Sequence, residues 1–409
     1  MPDPIAFLDG RHDAMVQLVS RLANINSFSY HLPGLAVAAE LLRQEFATLA
    51  PDRVETIALP AAEAVSASGE ILHTSLGELL SFSKRTDAPV QVLLVIHYDT
   101  VYAPEHGFKS VTQIDQQTLG GPGVADAKGG IVVMLNALLA LEQLAEAKNI
   151  GWTVLLNPDE EIGSPGSAQL LAEAAKRADL AMVFEPAPTA GTMVTQRKGS
   201  GNFSVIFHGR SAHAGREIEK GRNAVLAAAR FAIEATAAIS SVPGATINVG
   251  KIDGGGPVNV VPDLAILRLN LRVVTRAQQR EVEGRLAELV AGANRDEIRA
   301  ELHGHFSSPA WTPSGRPLAV FDEVCTLGRQ LELDLQATSS GGASDANKIA
   351  SAGLPVLDSL GPVGFDIHSK DERIAVGSLV ERAKLSALLL MKLARGEVLL
   401  PGARHISRE

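Results

Sequence analysis

Apolar positions along the chain alternate between short runs and longer periodic stretches, the pattern of strands interleaved with helices. The runs Val92-Leu-Leu-Val-Ile96, Trp152-Thr-Val-Leu-Leu156 and Leu180-Ala-Met-Val183 have the length of buried strands. The stretch Ile131 to Leu144 is apolar on all sides and predicts a helix inside the core. Upstream, residues 12–48 read as a helical region, with Met15, Leu18, Val19 and Leu22, then Ala36, Ala39, Leu42 and Phe46, at helical spacing. Residues 64–88 are polar and poorly periodic, which predicts a surface hairpin or loop.

The texture changes between about 199 and 309. Phe203 to Phe207, Thr246 to Val249, Ala265 to Val273 and Ile298 to Leu302 read as strands, with helices from Asn223 to Ile239 and Arg276 to Ala293. That β-α-β-β-α-β order is the order of a ferredoxin-like sandwich. Beyond it, Ala319 to Leu333 and Gly377 to Leu393 read as helices around a short strand, Pro355 to Asp358. The expected class is α/β: a mixed sheet flanked by helices, formed by residues 1–198 and 310–409, with a ferredoxin-like α+β module inserted at 199–309.

Composition narrows the function. A chain of 409 residues, 46% hydrophobic, can fill more than one core. A net charge of −9 argues against nucleic acid or an anionic membrane surface as the main partner. The single cysteine, Cys325, cannot form an intrachain disulfide and falls in an apolar helical pattern, which predicts an inert core thiol. Met1-Pro-Asp-Pro is not a basic segment followed by an apolar one, and no apolar run of 18 residues is evident, so a cytoplasmic protein is expected. There is no internal repeat or low-complexity segment.

The candidate chemistry lies at the ends of the predicted strands. His97-Tyr98-Asp99 closes the first, and residues two apart in a strand share a face, so Asp99 is placed to orient the His97 imidazole. Asp126 sits in the glycine-rich turn Gly120 to Gly130, just before the buried helix, and one carboxylate on such a turn can bridge two cations. Glu160 and Glu161 follow the second strand and Glu185 the third. The carboxyl ends of strands are where open α/β sheets place ligands. His368 lies in a loop before the last helix.

Taken in order, these elements, together with His213 in Ser-Ala-His-Ala-Gly, Asn259 before Val-Val-Pro, and Gly341-Gly342, resemble the M20 family of co-catalytic zinc peptidases and deacylases, in its glutamate carboxypeptidase-like branch. The resemblance spans nearly the whole chain. It implies that His97, Asp126 and Glu185 hold one Zn2+ while Asp126, Glu161 and His368 hold a second, with Co2+ or Mn2+ as possible substitutes. It further implies Glu160 as general base, with Asp99 supporting the site, His213 stabilising an oxyanion, often across a dimer interface, and a cis peptide after Asp126. Asn259, Arg272, Gly341 and Gly342 match positions that meet the substrate carboxylate. Their bland readings are a turn cap for Asn259 and an exposed strand cation for Arg272.

Glu185 rather than Asp at its position favours the carboxypeptidase and deacylase side of that family. The implied reaction is hydrolysis of an amide N-terminal to an amino acid with a free carboxylate, in a small peptide or N-acyl amino acid, by a homodimer formed through the insert. Near Met193, glutamate-specific relatives tend to carry a Lys that this chain lacks, having Arg197-Lys198 slightly later, so glutamate specificity stays open. The alternatives are an N-acyl-amino-acid deacylase using the same site and a non-catalytic dimeric binding protein. Asp345 is expected to orient a buried loop, and Lys128 to support its loop or face solvent. His12, His31, His73, His208, His303, His305 and His405 are expected to be structural or surface groups, with His106 a further candidate for lining the cleft.

Overall fold

A computed structural model describes residues 4–313, 316–398 and 400. Met1-Pro-Asp and His405 lie outside the described residues. The main sheet has six strands in the order Arg53–Ala58, Glu78–Lys84, Ile150–Asn157, Val90–His97, Leu180–Val183 and Val356–Leu357. The first two strands run antiparallel to their neighbours, and the last four run parallel. Four carboxyl ends therefore meet along one edge.

Side-chain alternation decides what covers the sheet. Val92, Leu94 and Ile96 face one core cluster with the helices His12–Ala23, Leu32–Ala47, Gly129–Leu141 and Gly377–Ala394. Leu93 and Val95 face a second cluster with the helices Ala168–Ala175 and Asp345–Ser351. The stretch Val124–Leu141 meets the length and hydropathy of a membrane span, correcting the reading that no such run exists, yet 94% of it is buried in the fold. It is a core helix. Each of its large apolar side chains contributes roughly 1.5–3 kcal/mol by burial.

Two further expectations need correction. The helical region 12–48 is built of two helices, His12–Ala23 and Leu32–Ala47, whereas the core helix ends at Leu141 rather than Leu144. Only part of 64–88 is a surface hairpin, Ala62–Val65 with Ile71–Thr74; Glu78–Lys84 is a buried sheet strand. Its sequence looks polar because Ser81 and Ser83, both buried, alternate with Leu80 and Phe82.

Residues 199–308 form a second sheet, in the order Thr246–Gly254, Leu264–Val273, Gly199–His208, Arg299–Ser308, with all neighbours antiparallel. The helices Ala224–Ser240 and Arg276–Ala293 pack with it around Phe203, Val205, Phe207, Phe231, Leu267 and Leu271. Thr275 and Gln278 form a capping box that starts the second of these helices. This α+β unit has an apolar core of its own.

Gly130, in the first turn of the core helix, lies against the backbone of Phe184; a Cβ there would stand 2.0 Å from the Phe184 carbonyl oxygen. Gly130→Ala must push the helix off the strand that leads to Glu185. A loss of about 1–3 kcal/mol is expected in urea unfolding, with an unchanged m value.

Candidate metal centre

His97 is the last residue of its strand, and the next backbone N–H, of Tyr98, donates to Asn157 O at 2.9 Å. The imidazole is buried, with Nδ1 3.3 Å from Asp99 Oδ1 and Nε2 3.0 Å from Asp126 Oδ1. Asp99, fully buried just beyond the strand, also accepts from Ser29 Oγ at 2.6 Å and from the backbone N–H groups of Glu160 and Glu161 at 3.2 Å. One carboxylate thus orients an imidazole and a two-glutamate turn together.

Asp126 lies in an irregular turn, Val124–Lys128, entered through Gly123 in the left-handed region, and the Asp126-Ala127 peptide is cis. The turn is gripped from afar. Glu372 Oε1 accepts from the N–H groups of Ala125 and Asp126 at 2.9 and 3.1 Å. The Tyr102 hydroxyl sits 2.5 Å from Glu372 Oε2 and 2.9 Å from Ser369 O. No local motif marks Ser29, Tyr102 or Glu372; the one sequence signal is a Glu four residues after His368.

Glu160 and Glu161 occupy a single turn of 3-10 helix closed by Gly163 at φ 93°. His368, itself at φ 62°, places Nε2 3.1 Å from Glu161 Oε2 and 3.2 Å from Asp126 Oδ2. The two oxygens of Asp126 therefore face two different imidazoles. Ligand atoms of His97, Asp126 and Glu161 all lie within 4.8 Å of one another, and Glu161 Oε1 is buried without a hydrogen-bond partner among the described residues. Glu185, buried at the end of its strand, has an electrostatic interaction with His97 and Asp126.

Crowding perturbs the acids of the cluster and His368. Burial, aided by Asp126, pushes Glu161 up to about 7, and burial pushes Glu185 up to about 8. Glu160 is also held well above the ordinary carboxyl range, by burial first and then Glu185 and Asp345, against His97 and Lys348. Burial opposes ionisation of Asp126 too, but hydrogen bonds from His368 and His97 hold it below its ordinary value. The same bonds to Asp126 and Glu161 raise His368 to about 11. Concentrated carboxylates, two imidazoles and an orphaned oxygen suit a divalent cation of the N/O-binding kind.

The remaining candidates lie elsewhere. Asp345 is buried behind the glutamate turn, accepting from Asn157 Nδ2 at 2.8 Å and Ser164 Oγ at 2.6 Å. Arg272, half-buried in the α+β unit, donates to Asn270 Oδ1 at 3.0 Å and approaches Gly341 O at 3.4 Å. Arg197 is buried and committed to Asp358 Oδ2 at 2.5 Å and Gly342 O at 3.2 Å. His213 and Asn259 share a loop pair, where Ala214 N donates to Asn259 O. Among the described contacts, neither touches the acidic cluster. Gly215 N donates to His213 Nδ1 at 3.1 Å, which leaves Nε2 to carry the proton of a neutral ring. Lys128 is buried rather than solvent-facing, with Nζ on Ile25 O at 2.8 Å, and burial lowers it to about 7. The His106 ring packs against Tyr102 and its Nδ1 accepts from Phe108 N, and partly buried Cys325 contacts Leu335 O.

The sequence profile of "Peptidase family M20/M25/M40" matches residues 93–392. The chain belongs to this family. As an M20 protein it is a hydrolase whose relatives are metallopeptidases and deacylases. It is 26% identical over 387 residues to carboxypeptidase G2 of Pseudomonas sp. (strain RS-16), covering 94% of this chain and 90% of that one. It is 30% identical over 370 residues to succinyl-diaminopimelate desuccinylase of Xanthomonas oryzae pv. oryzae, covering 85% and 96%. The M20 fold is shared with a tripeptidase from Staphylococcus aureus (TM-score 0.71, 22% identity, 94% of this chain and 99% of that one). An M20 family metallo-carboxypeptidase from Sulfolobus solfataricus also shares it (TM-score 0.71, 15% identity, 93% and 99%).

The raised carboxyl and imidazole values have a thermodynamic sign. A group titrating higher in the folded than in the unfolded chain stabilises fully below its unfolded value, and that contribution is lost as pH rises through the folded one. Metal-stripped protein should therefore lose stability from about pH 4.3, the unfolded Glu value, up to pH 7–8, where Glu161 and Glu185 ionise. Added divalent cation should restore it increasingly over that range, by about 4 kcal/mol at a thousandfold excess over Kd. Thermal unfolding from pH 5 to 8, with and without metal, measures both.

Proposed function

We propose that the chain is a two-zinc amidohydrolase that releases an amino acid with a free carboxylate from a small peptide or an N-acyl donor. The observation that carries this reading is Asp126, whose two oxygens face His97 Nε2 at 3.0 Å and His368 Nε2 at 3.2 Å. His97, Asp126 and Glu185 would hold one zinc, and Asp126, Glu161 and His368 the other. Bound there, the metal polarises the scissile carbonyl and lowers the pKa of a water towards about 7.

The chain's own groups do the rest. Glu160 takes the proton of the attacking water and passes it to the leaving nitrogen, a role suited to a carboxyl already shifted towards neutral pH. Asp99 holds the His97 ring and the Glu160 turn in register. His213 Nε2–H stabilises the oxyanion. Arg272 binds the substrate carboxylate as a fork-shaped donor, with Asn259 and the Gly341-Gly342 backbone beside it.

Desuccinylase likeness at 30% identity supports a second reading, an N-acyl-amino-acid deacylase that differs only in the acyl group accepted. A homodimer through the α+β unit fits the exposed Leu226 and Ile233 of the helix Ala224–Ser240 and Ile252 of the edge strand Thr246–Gly254.

Two variants separate the roles. Glu160→Ala should retain both metals by elemental analysis while turnover falls about 10²–10⁴-fold. Asp126→Ala should lose metal and activity together. Near-wild-type turnover in Glu160→Ala would remove the general base from this scheme. Amino-acid release from a panel of dipeptides and N-acyl amino acids ranks the two substrate classes.

A further inference from the structure

The backbone crosses between the main body and the α+β unit twice, at residues 197–199 and 308–311. The two crossings touch. Arg197 and Trp311 exchange backbone hydrogen bonds at 3.0 Å in both directions, and a Cβ on Gly199 would stand 2.7 Å from Ala310 N. Both crossings are held by one side chain: Asn347 Nδ2 donates to Lys198 O at 3.2 Å and to Pro309 O at 2.8 Å. The next residue, Lys348, places Nζ 3.3 Å from Ser308 Oγ. Asn347 is 1% exposed, so no water substitutes readily for these bonds.

The first residue of the same short helix, Asp345–Ser351, reaches the glutamate turn. Asp345 accepts from Asn157 and Ser164, which flank Asp159, Glu160 and Glu161, and is bonded to Lys348 Nζ at 3.0 Å. Asn347 Oδ1 accepts from Ser344 N and so closes the helix start. A polar path therefore runs from the second crossing, at Ser308, through Lys348 and Asp345 to the residues that flank the Glu160 turn. Arg272 lies in the strand paired directly with Gly199–His208, the first strand after a crossing.

We propose that Asn347 is a positioning residue: by gripping both crossings on the helix that also braces the Glu160 turn, it fixes where the α+β unit carries Arg272 relative to the metal centre. The role rests on the hydrolase reading for its consequence, since Arg272 is there the carboxylate-binding group. The hinge geometry itself does not depend on it. Loss of the grip frees the unit to swing and leaves the metal ligands in place.

Asn347→Ala removes all three hydrogen bonds, and Asn347→Asp keeps the acceptor for Ser344 N while removing both donations. The second variant carries the test if the first fails to fold. Expected for folded variant with normal metal content is a larger maximum dimension in small-angle X-ray scattering. KM should rise about tenfold or more for substrates with a free carboxylate, and kcat should fall as well because His213 rides on the same unit. Scattering unchanged from wild type would overturn the hinge role, whatever the enzyme hydrolyses. Activity falling only in step with thermal stability or metal content, at constant KM, would make Asn347 merely structural and overturn it as well. Wild-type protein without amide hydrolysis would instead refute the hydrolase reading, with the scattering still deciding the hinge.

Discussion

Negative charge concentrated in a poorly solvated cleft is the constraint on which the rest of this structure depends. Asp126, Glu161 and Glu185 are largely buried, Glu160 partly so, and all four lie at or near the carboxyl edge of one sheet. Carboxylates packed this closely cannot all ionise without compensation. Among the described residues only His97 and His368 pair directly with them, and the buried cations nearby are committed elsewhere, Arg197 to Asp358 and Lys348 to Asp345. Divalent metal is the compensation that the ligand set fits.

The fold meets this constraint by layering supports behind the acids. Parallel strands bring His97, the Glu160 turn and Glu185 to one edge, and the apolar helix Gly129–Leu141, packed closely through Gly130, fixes the turn that carries Asp126. Behind these stand Asp99 with Ser29, Glu372 with Tyr102, and Asp345 with Asn157 and Ser164, each supplying or accepting hydrogen bonds that hold an acid in place. Such outer partners orient ligands and tune their basicity. The α+β unit adds a cation, Arg272, over Gly341 of the main body.

Much of this was legible in the sequence because the chemistry sits at the ends of strongly apolar runs. His97, Glu160, Glu161 and Glu185 are each adjacent to such a run, and Asp126 precedes an unmistakably buried helix. The supports were hidden for a physical reason: Glu372 meets Ala125 across 247 residues, and Asn347 meets Lys198 across 149, so no local pattern marks them. Glu78–Lys84 was hidden differently, since buried serines give a core strand the look of a loop. His213 and Asn259 were visible as motifs, yet their loops lie apart from the acids within one chain, and their roles rest on what approaches them.

The most direct test is a crystal structure of zinc-reconstituted protein with anomalous data collected at the zinc edge. This reading predicts two peaks about 3.5–4 Å apart, one bounded by His97, Asp126 and Glu185 and the other by Asp126, Glu161 and His368. A single peak, or two peaks that do not share Asp126, would contradict it.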